Sequence, residues 1–272
     1  MTGILVVNHF LNSDKFNTLH THLITCAKNR NIDLRLKTNL ELATQDVQAD
    51  FVLFWDKDIN LAKRLEKNGL PVFNSSRSIA LCDDKASTYI ELDGVVPQPE
   101  TLIAPKCFFK SDMSEFVENA INILGLPLVF KECFGSFGEQ VYLCHSFDEI
   151  ISHISERPFI LQEFISDSAG RDVRLEIVGG KCVSAALREN KNDFRSNVTN
   201  GGTMCAYTPN EEEIATALRA CECLGLTFGG VDILQNGMVC EVNSNAHIIN
   251  IMNSTGIDIA PLIFNEITEK IG

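Results

Sequence analysis

Residues 171–189 read RDVRLEIVGGKCVSAALRE, two β-like runs joined by Gly179-Gly180. A two-residue glycine loop between such runs signals a tight hairpin, because the favoured hairpin turns need positive φ at their central positions. A hairpin places its strands in an antiparallel sheet, since parallel strands need a long crossover. A second signal, Asn236-Gly237, lies inside GGVDILQNGMVCEVN at 229–243. Between the two hairpins a helix is expected. Asn210 and three glutamates from Glu211 start it, Ile214, Leu218, Cys221 and Leu224 share a face, and Gly225 stops it.

The first quarter of the chain follows another rule. ILVVN at 4–8, DLRLKT at 33–38 and DFVLFW at 50–55 read as strands, with PVFN at 71–74 as a short fourth. Phe16, Leu19, Leu23 and Ala27 fall on one helical face between the first two, and a charged helix ends at Asn68-Gly69. Strands alternating with helices imply a small parallel α/β unit. The middle opens on one helix, IALCDDKASTYIEL at 79–92, and passes through an extended Pro-rich segment. A helix over 116–124 follows, with Asp112 and Glu115 as its capping pair. The expected organisation is an N-terminal α/β domain over 1–78, a central α+β subdomain over 79–158, and a C-terminal α+β subdomain over 159–272.

Charge and cysteine usage narrow the function. A formal net charge of −13 argues against nucleic-acid or anionic-membrane partners, which need clustered Lys and Arg. No run of 18 apolar residues spans a membrane, and MTGILVVNHF lacks the basic region of a secretory signal. The ten cysteines are scattered, with Cys221 and Cys223 as the one close pair and no C-x-x-C. Buried reduced thiols suit a cytoplasmic protein better than a zinc or redox site does.

Three clusters carry chemistry. With Asn236-Gly237 as a two-residue loop, Leu234 pairs with Val239, Ile233 with Cys240, and Asp232 with Glu241. The two carboxylates then oppose each other, which is unfavourable without a partner. Asn243 lies on their face, while Val231, Ile233, Cys240 and Val242 form the core face. An oxygen-only set of Asp, Glu and Asn suits Mg²⁺; the alternative is ordinary surface acids at a strand end, and three oxygen ligands converging beside a dry face favour the metal. The second cluster is LPLVFKECFGSFGEQVYL at 126–143: strand, glycine loop, strand. Lys131 ends the first strand, and Gly135 and Gly138 let backbone N–H groups approach a phosphate. This is not a P-loop, whose lysine follows the glycines and opens a helix. Taken alone, Lys131 would be a snorkelling strand lysine. The third cluster is LRENKNDFRSN at 187–197, where Arg188 and Arg195 flank a polar loop. They matter if an anion lies between them.

The order of lysine, glycine loop, QEFI, RDVRLEIV, DFRSN, GGVDIL, EVN and TGIDIA resembles the ATP-grasp superfamily, and within it the RimK-type amino-acid ligases, over roughly residues 80–265. The resemblance implies ATP held between two α+β subdomains behind an N-terminal Rossmann-like unit. It implies Lys85 and Lys131 on the phosphates, with Gly135, Ser136 and Gly138 closing over them. Glu163 and Phe164 would form the adenine-side strand, and Asp172 would lie near the ribose. Arg195, Ser196 and Asn197 would reach nucleotide phosphate and substrate, and Arg188 the acyl phosphate or acceptor. Asp232, Glu241 and Asn243 would hold Mg²⁺, with Mn²⁺ as an alternative. The implied reaction joins a carboxylate to an amine through an acyl phosphate. Its partners would be ATP and small-molecule or peptide substrates; a homo-oligomer is left open. A nucleotide-binding module without ligase chemistry, or an ATP-grasp phosphotransferase, are the alternatives. One departure stands out. Asn245, Ala246 and His247 replace the usual Ser-Pro-Gly after the metal strand, which puts glutamate specificity in doubt. His247 is read either as a donor to a substrate carboxylate or as a plain loop histidine.

Overall fold

The computed structural model describes residues 1–272 except 108, 110, 136 and 137. Its first layer is formed by β1 (Thr2–Val7), α1 (Asp14–Lys28), β2 (Asp33–Thr38), α2 (Asn39–Leu42), β3 (Phe51–Trp55), α3 (Ile59–Lys67) and β4 (Val72–Phe73). The four strands are parallel, in the order β2-β1-β3-β4. Their near-continuous apolar runs follow from burial on both faces. Leu5 and Leu53 meet Leu19 and Leu23 of α1 on one side. Val6 and Phe54 meet Leu61 and Leu65 of α3 on the other. The chain winds from β1 one way to β2 and the other way to β3, so the carboxyl ends of β1 and β3 flank a crevice.

Where the sequence suggests one helix, there are two: α4 (Ser76–Asp83) and α5 (Lys85–Leu92). Asp84 breaks them, because its side chain caps the second helix by accepting from Ala86 N at 3.0 Å. Lys85 thereby becomes the first residue of α5.

The second layer contains β5 (Thr101–Ile103), α6 (Ser114–Leu124), β6 (Leu128–Glu132), β7 (Val141–Cys144), α7 (Phe147–His153) and β8 (Phe159–Glu163). Its sheet is antiparallel, ordered β5-β8-β6-β7. Helices α6 and α7 cover one face, packing Val117 and Ile150 on Phe130 and Leu161. The other face is left for the site. The helix α6 starts two residues earlier than its sequence pattern suggests, with Asp112 Oδ1 accepting from Ser114 N at 2.9 Å.

The third layer holds β9 (Arg171–Val178), β10 (Lys181–Glu189), β11 (Thr203–Ala206), α8 (Glu211–Cys223), β12 (Phe228–Ile233), β13 (Val239–Asn243), α9 (Ile248–Thr255) and α10 (Ala260–Ile271). The sheet runs β11-β10-β9-β12-β13, all antiparallel. Gly179 and Gly180 take φ of 56° and 70°, as a tight hairpin requires. The second hairpin differs from its sequence reading. Leu234 N donates to Met238 O and Gly237 N to Leu234 O, both at 2.9 Å, so the loop has three residues and Gly237 takes φ of 81°. Ile233 therefore pairs with Val239 rather than Cys240. A bulge at Cys240 then restores the expected pairing of Asp232 with Glu241.

One face of this sheet packs Val173, Leu175, Val231 and Ile233 on α8. Near α9 and α10, Phe228, Ile251 and Ile263 join Leu5, Leu53 and Trp55 in a single core. Asn74 pins that junction. Its amide donates to Phe228 O at 2.8 Å and Ser244 O at 2.7 Å, and accepts from Thr227 N at 2.8 Å. Among the described residues no helix is long and apolar enough to cross a membrane. All ten cysteines are unpaired.

Candidate active site

Strand alternation lays a polar stripe across the third sheet. On β9, Asp172, Arg174 and Glu176 project opposite to Val173 and Leu175. Arg188 of β10 and Asp232 of β12 stand beside them, all five nearly or fully buried. Arg188 makes a bidentate pair with Asp172, both contacts at 2.6 Å, and reaches Asp232 Oδ2 at 2.8 Å. Arg174 also grips Asp232 with two nitrogens. Burial opposes the charge on Arg188, but the Asp232 and Asp172 carboxylates overcome it and hold the group well above its ordinary value. Burial likewise works against ionised Asp232, yet Arg174 and Arg188 pull its pKa down. Glu176 has weaker support. Burial pushes it up to about 7, and Arg174, 4.0 Å away, offsets this only in part. Gly230 leaves room for this packing, because a side chain there would begin 3.0 Å from Arg174 Cδ.

The opposing face comes from the second sheet. Lys131 is 7% exposed, and its Nζ donates to Gln162 Oε1 at 2.6 Å. Gln162 in turn donates to Thr101 Oγ1 at 2.8 Å. A snorkelling lysine keeps its amine in water; this one is held inside by a neutral amide, with its charge left for an anion. Burial lowers the pKa of Lys85, while Glu241 opposes that shift. Gly135, Gly138 and Gln140, from the connection between β6 and β7, line this end. Arg195 Nη1 donates to Gly138 O at 2.5 Å and Val141 O at 3.4 Å, and its remaining nitrogens are fixed by Asp193. Gly138 takes φ of 73°, and Asn197 Oδ1 lies 3.1 Å from where a Cβ would stand.

These two faces enclose a cavity. Lys85, Lys131, Gly135, Gly138, Glu163, Phe164, Asp172, Arg188, Arg195, Ser196, Asn197, Asp232 and Glu241 all line it, as does Cys240. Every sequence-predicted residue is therefore in one place, with two exceptions. Ser136 lies outside the described residues. Asn243 lines a second cavity, of about 270 Å³, between the third sheet and the crevice of the first. Gly135, Arg188, Asn197 and Glu241 line both cavities and mark where they join.

Arg188 is buried in β10, next to the polar loop that it flanks, and Asp172, which lines the cavity, accepts from Arg188 and from the Ser196 hydroxyl. Two sequence readings need correction. The Asp232–Glu241 pair is not an uncompensated repulsion, because two guanidinium groups neutralise Asp232. Cys240 does not sit in the core; the bulge turns it toward Lys131, whose Nζ is 3.8 Å from its sulfur. Sequence reasoning also missed Arg174, Glu176 and Gln162. The period-2 run of charged residues in RDVRLE was the available signal for the first two.

The Glu241 side chain has no hydrogen bond or ion pair among the described residues, which leaves its carboxylate oxygens for a cation; the unpartnered atom of Asn243 is its Nδ2, an N–H donor, so only its Oδ1 could join them. Oxygen donors two residues apart on one strand face fit a hard cation. His247 lines the second cavity, with Nε2 3.3 Å from Lys15 O and Nδ1 unpartnered.

The family model of the RimK-like ATP-grasp domain matches residues 74–267. The MG012 homologue of Mycoplasma pneumoniae is 31% identical over 226 residues, covering 78% of this chain and 78% of its own. A probable alpha-L-glutamate ligase of Vibrio atlanticus is 38% identical over 175 residues, covering 61% of this chain and 58% of that protein. The crystal structure of D-alanine–D-alanine ligase from Bacillus anthracis with ATP superposes with a TM-score of 0.76 at 18% identity, over 100% of this chain and 97% of that one. With its parallel N-terminal sheet and two antiparallel α+β layers, the chain belongs to the RimK-like ATP-grasp family.

Proposed function

We propose that the protein is an ADP-forming carboxylate–amine ligase acting on an amino-acid substrate. The observation that carries this reading is the junction of two cavities beside buried cations. The first cavity, between the second and third sheets, would take ATP, with Glu163 and Phe164 on the adenine side. Lys85 and Lys131 would meet its phosphates, and Arg195, Ser196 and Asn197 would lie along them. Magnesium would neutralise phosphate charge. Glu241 and Asn243 would hold the ion, and Asp232 would join them by releasing a guanidinium contact.

At the junction a carboxylate oxygen attacks the γ-phosphorus, and the bond to the ADP oxygen breaks. The resulting acyl phosphate faces the second cavity, next to Arg188. An amine nitrogen then attacks the acyl carbon, the carbon–oxygen bond to phosphate breaks, and the nitrogen loses a proton. The products are an amide, ADP and phosphate. Positioning and charge neutralisation suffice for both steps, so no cysteine is needed as a nucleophile.

The test is a panel of amino acids, carboxylic acids and short peptides with MgATP, read by ADP release and product mass. We expect ADP and amide in equal amounts for one pairing. Lys131→Ala is expected to lower turnover at least about 100-fold, the scale of losing one preorganised charge contact to a transition state, with the fold kept. ADP release with a phosphorylated product and no amide would favour a phosphotransferase. Full turnover in the variant would return Lys131 to a structural role.

A further inference from the structure

The second cavity has a charge pattern that amide synthesis alone does not require. Three of its cations are already engaged. Lys57 pairs with Asp83 at 2.8 Å, and Arg174 and Arg188 are held by Asp232 and Asp172. Lys15 also lines the cavity, its amine 5.9 Å from the Phe16 ring centre. Burial keeps His20 and His247 below the ordinary histidine value. Besides Glu241 at the junction, two further acids in the wall are short of partners. Asp56 is 4% exposed; its Oδ1 accepts from Asn8 Nδ2 at 3.0 Å and Lys57 N at 2.8 Å, while Oδ2 is buried with no partner. Glu176 is 3% exposed, with Arg174 no nearer than 4.0 Å. A buried carboxylate in that condition is destabilising until a cation or donor reaches it.

Asp56 also sits where an α/β sheet binds ligands. It directly follows β3, and Asn8, its hydrogen-bond partner, directly follows β1. Those two carboxyl ends flank the point where the strand order reverses. The junction with the first cavity, at Arg188 and Glu241, would be the reacting end. Asp56 would be the far end.

We propose that the second cavity is the acceptor site and that Asp56 and Glu176 bind a second ammonium group on the acceptor, distal to the amine that reacts, so that the acceptor is a basic amino acid or a diamine. The identification of the cavity as the acceptor site rests on the ligase reading. In the transfer step only the reacting nitrogen loses a proton; the distal ammonium keeps its own. An acidic acceptor would instead bring like charge against two buried carboxylates.

The test is calorimetric titration of the whole chain, loaded with Mg²⁺ and a non-hydrolysable ATP analogue. The ligands are lysine, ornithine, putrescine, norleucine and glutamate. At least one basic ligand is expected to bind tenfold or more tightly than norleucine, which lacks the distal ammonium, and than glutamate. Asp56→Asn is expected to weaken that binding at least tenfold while keeping the thermal shift given by MgATP, and Glu176→Gln to weaken it at least tenfold with the fold kept. Should Asp56→Asn not fold, Glu176→Gln alone decides. Glutamate or norleucine binding as tightly as the basic ligands, or basic-ligand affinity unchanged in both variants, overturns the proposal. Binding of a basic ligand without amide formation from any carboxylate would leave the ammonium site at Asp56 and Glu176 standing and remove the ligase reading, and with it the name acceptor. Amide formation with glutamate alone would do the reverse.

Discussion

Asp232 sits between two buried guanidinium groups, and this sets what its removal does. Asp232→Asn leaves Arg174 with only the more distant Glu176, at 4.0 Å, and Arg188 with Asp172 alone. Breaking one side of a buried ion pair leaves charge uncompensated, typically about 3–5 kcal/mol. The variant without ligands is expected to unfold at clearly lower urea concentration than wild type; an unchanged midpoint would contradict the network. From the sequence the opposite holds, since Asp232 facing Glu241 across a hairpin reads as two repelling acids. The difference lies in Arg174, 58 residues away in sequence and adjacent only because β9 pairs with β12. Lys131 was more legible. Its glycine loop is local, and strand alternation already separates it from the Phe130 face. Its hold on Gln162 was not legible, because that contact crosses between strands 31 residues apart.

Among the elements, the connection between β6 and β7 meets the site at its described residues Gly135 and Gly138. Arg195 ties it to the third sheet through two carbonyls, Gly138 and Val141. Arg195→Ala is expected to raise amide exchange at Gly135 and Gly138 several-fold, and MgATP to lower it in wild type. Identical exchange in all three samples would mean that neither the arginine nor the nucleotide orders this segment. The hairpins show how far local pattern reaches. Gly179-Gly180 reads directly as a two-residue turn. Asn236-Gly237 signals a hairpin equally well, but its loop is one residue longer, and the bulge at Cys240 cancels the shift. The pairing of Asp232 with Glu241 survives, while Cys240 moves from core to site. The helix break at Asp84 was likewise open to sequence, since aspartate caps helices, yet the apolar pattern runs across it.

At the scale of the molecule, three sheets meet around two cavities, and the proposed reaction would take place at their junction. Sequence pattern separates the parallel N-terminal unit from the antiparallel remainder, because strand alternation and helix spacing are local properties. It does not show how the layers dock. Asn74 holds β12 and the segment after β13 through backbone groups 153 to 170 residues away. No local signal marks it, nor does one bring Asp56 to the second cavity. The central claim is that a carboxylate oxygen takes the γ-phosphoryl group at that junction. Its most direct test uses the active carboxylate labelled with ¹⁸O in both oxygens, with MgATP and the amine, and mass analysis of the released phosphate. The account predicts one ¹⁸O in each phosphate, left there when the amine displaces the acyl phosphate. Unlabelled phosphate, or release of AMP and pyrophosphate, would contradict it.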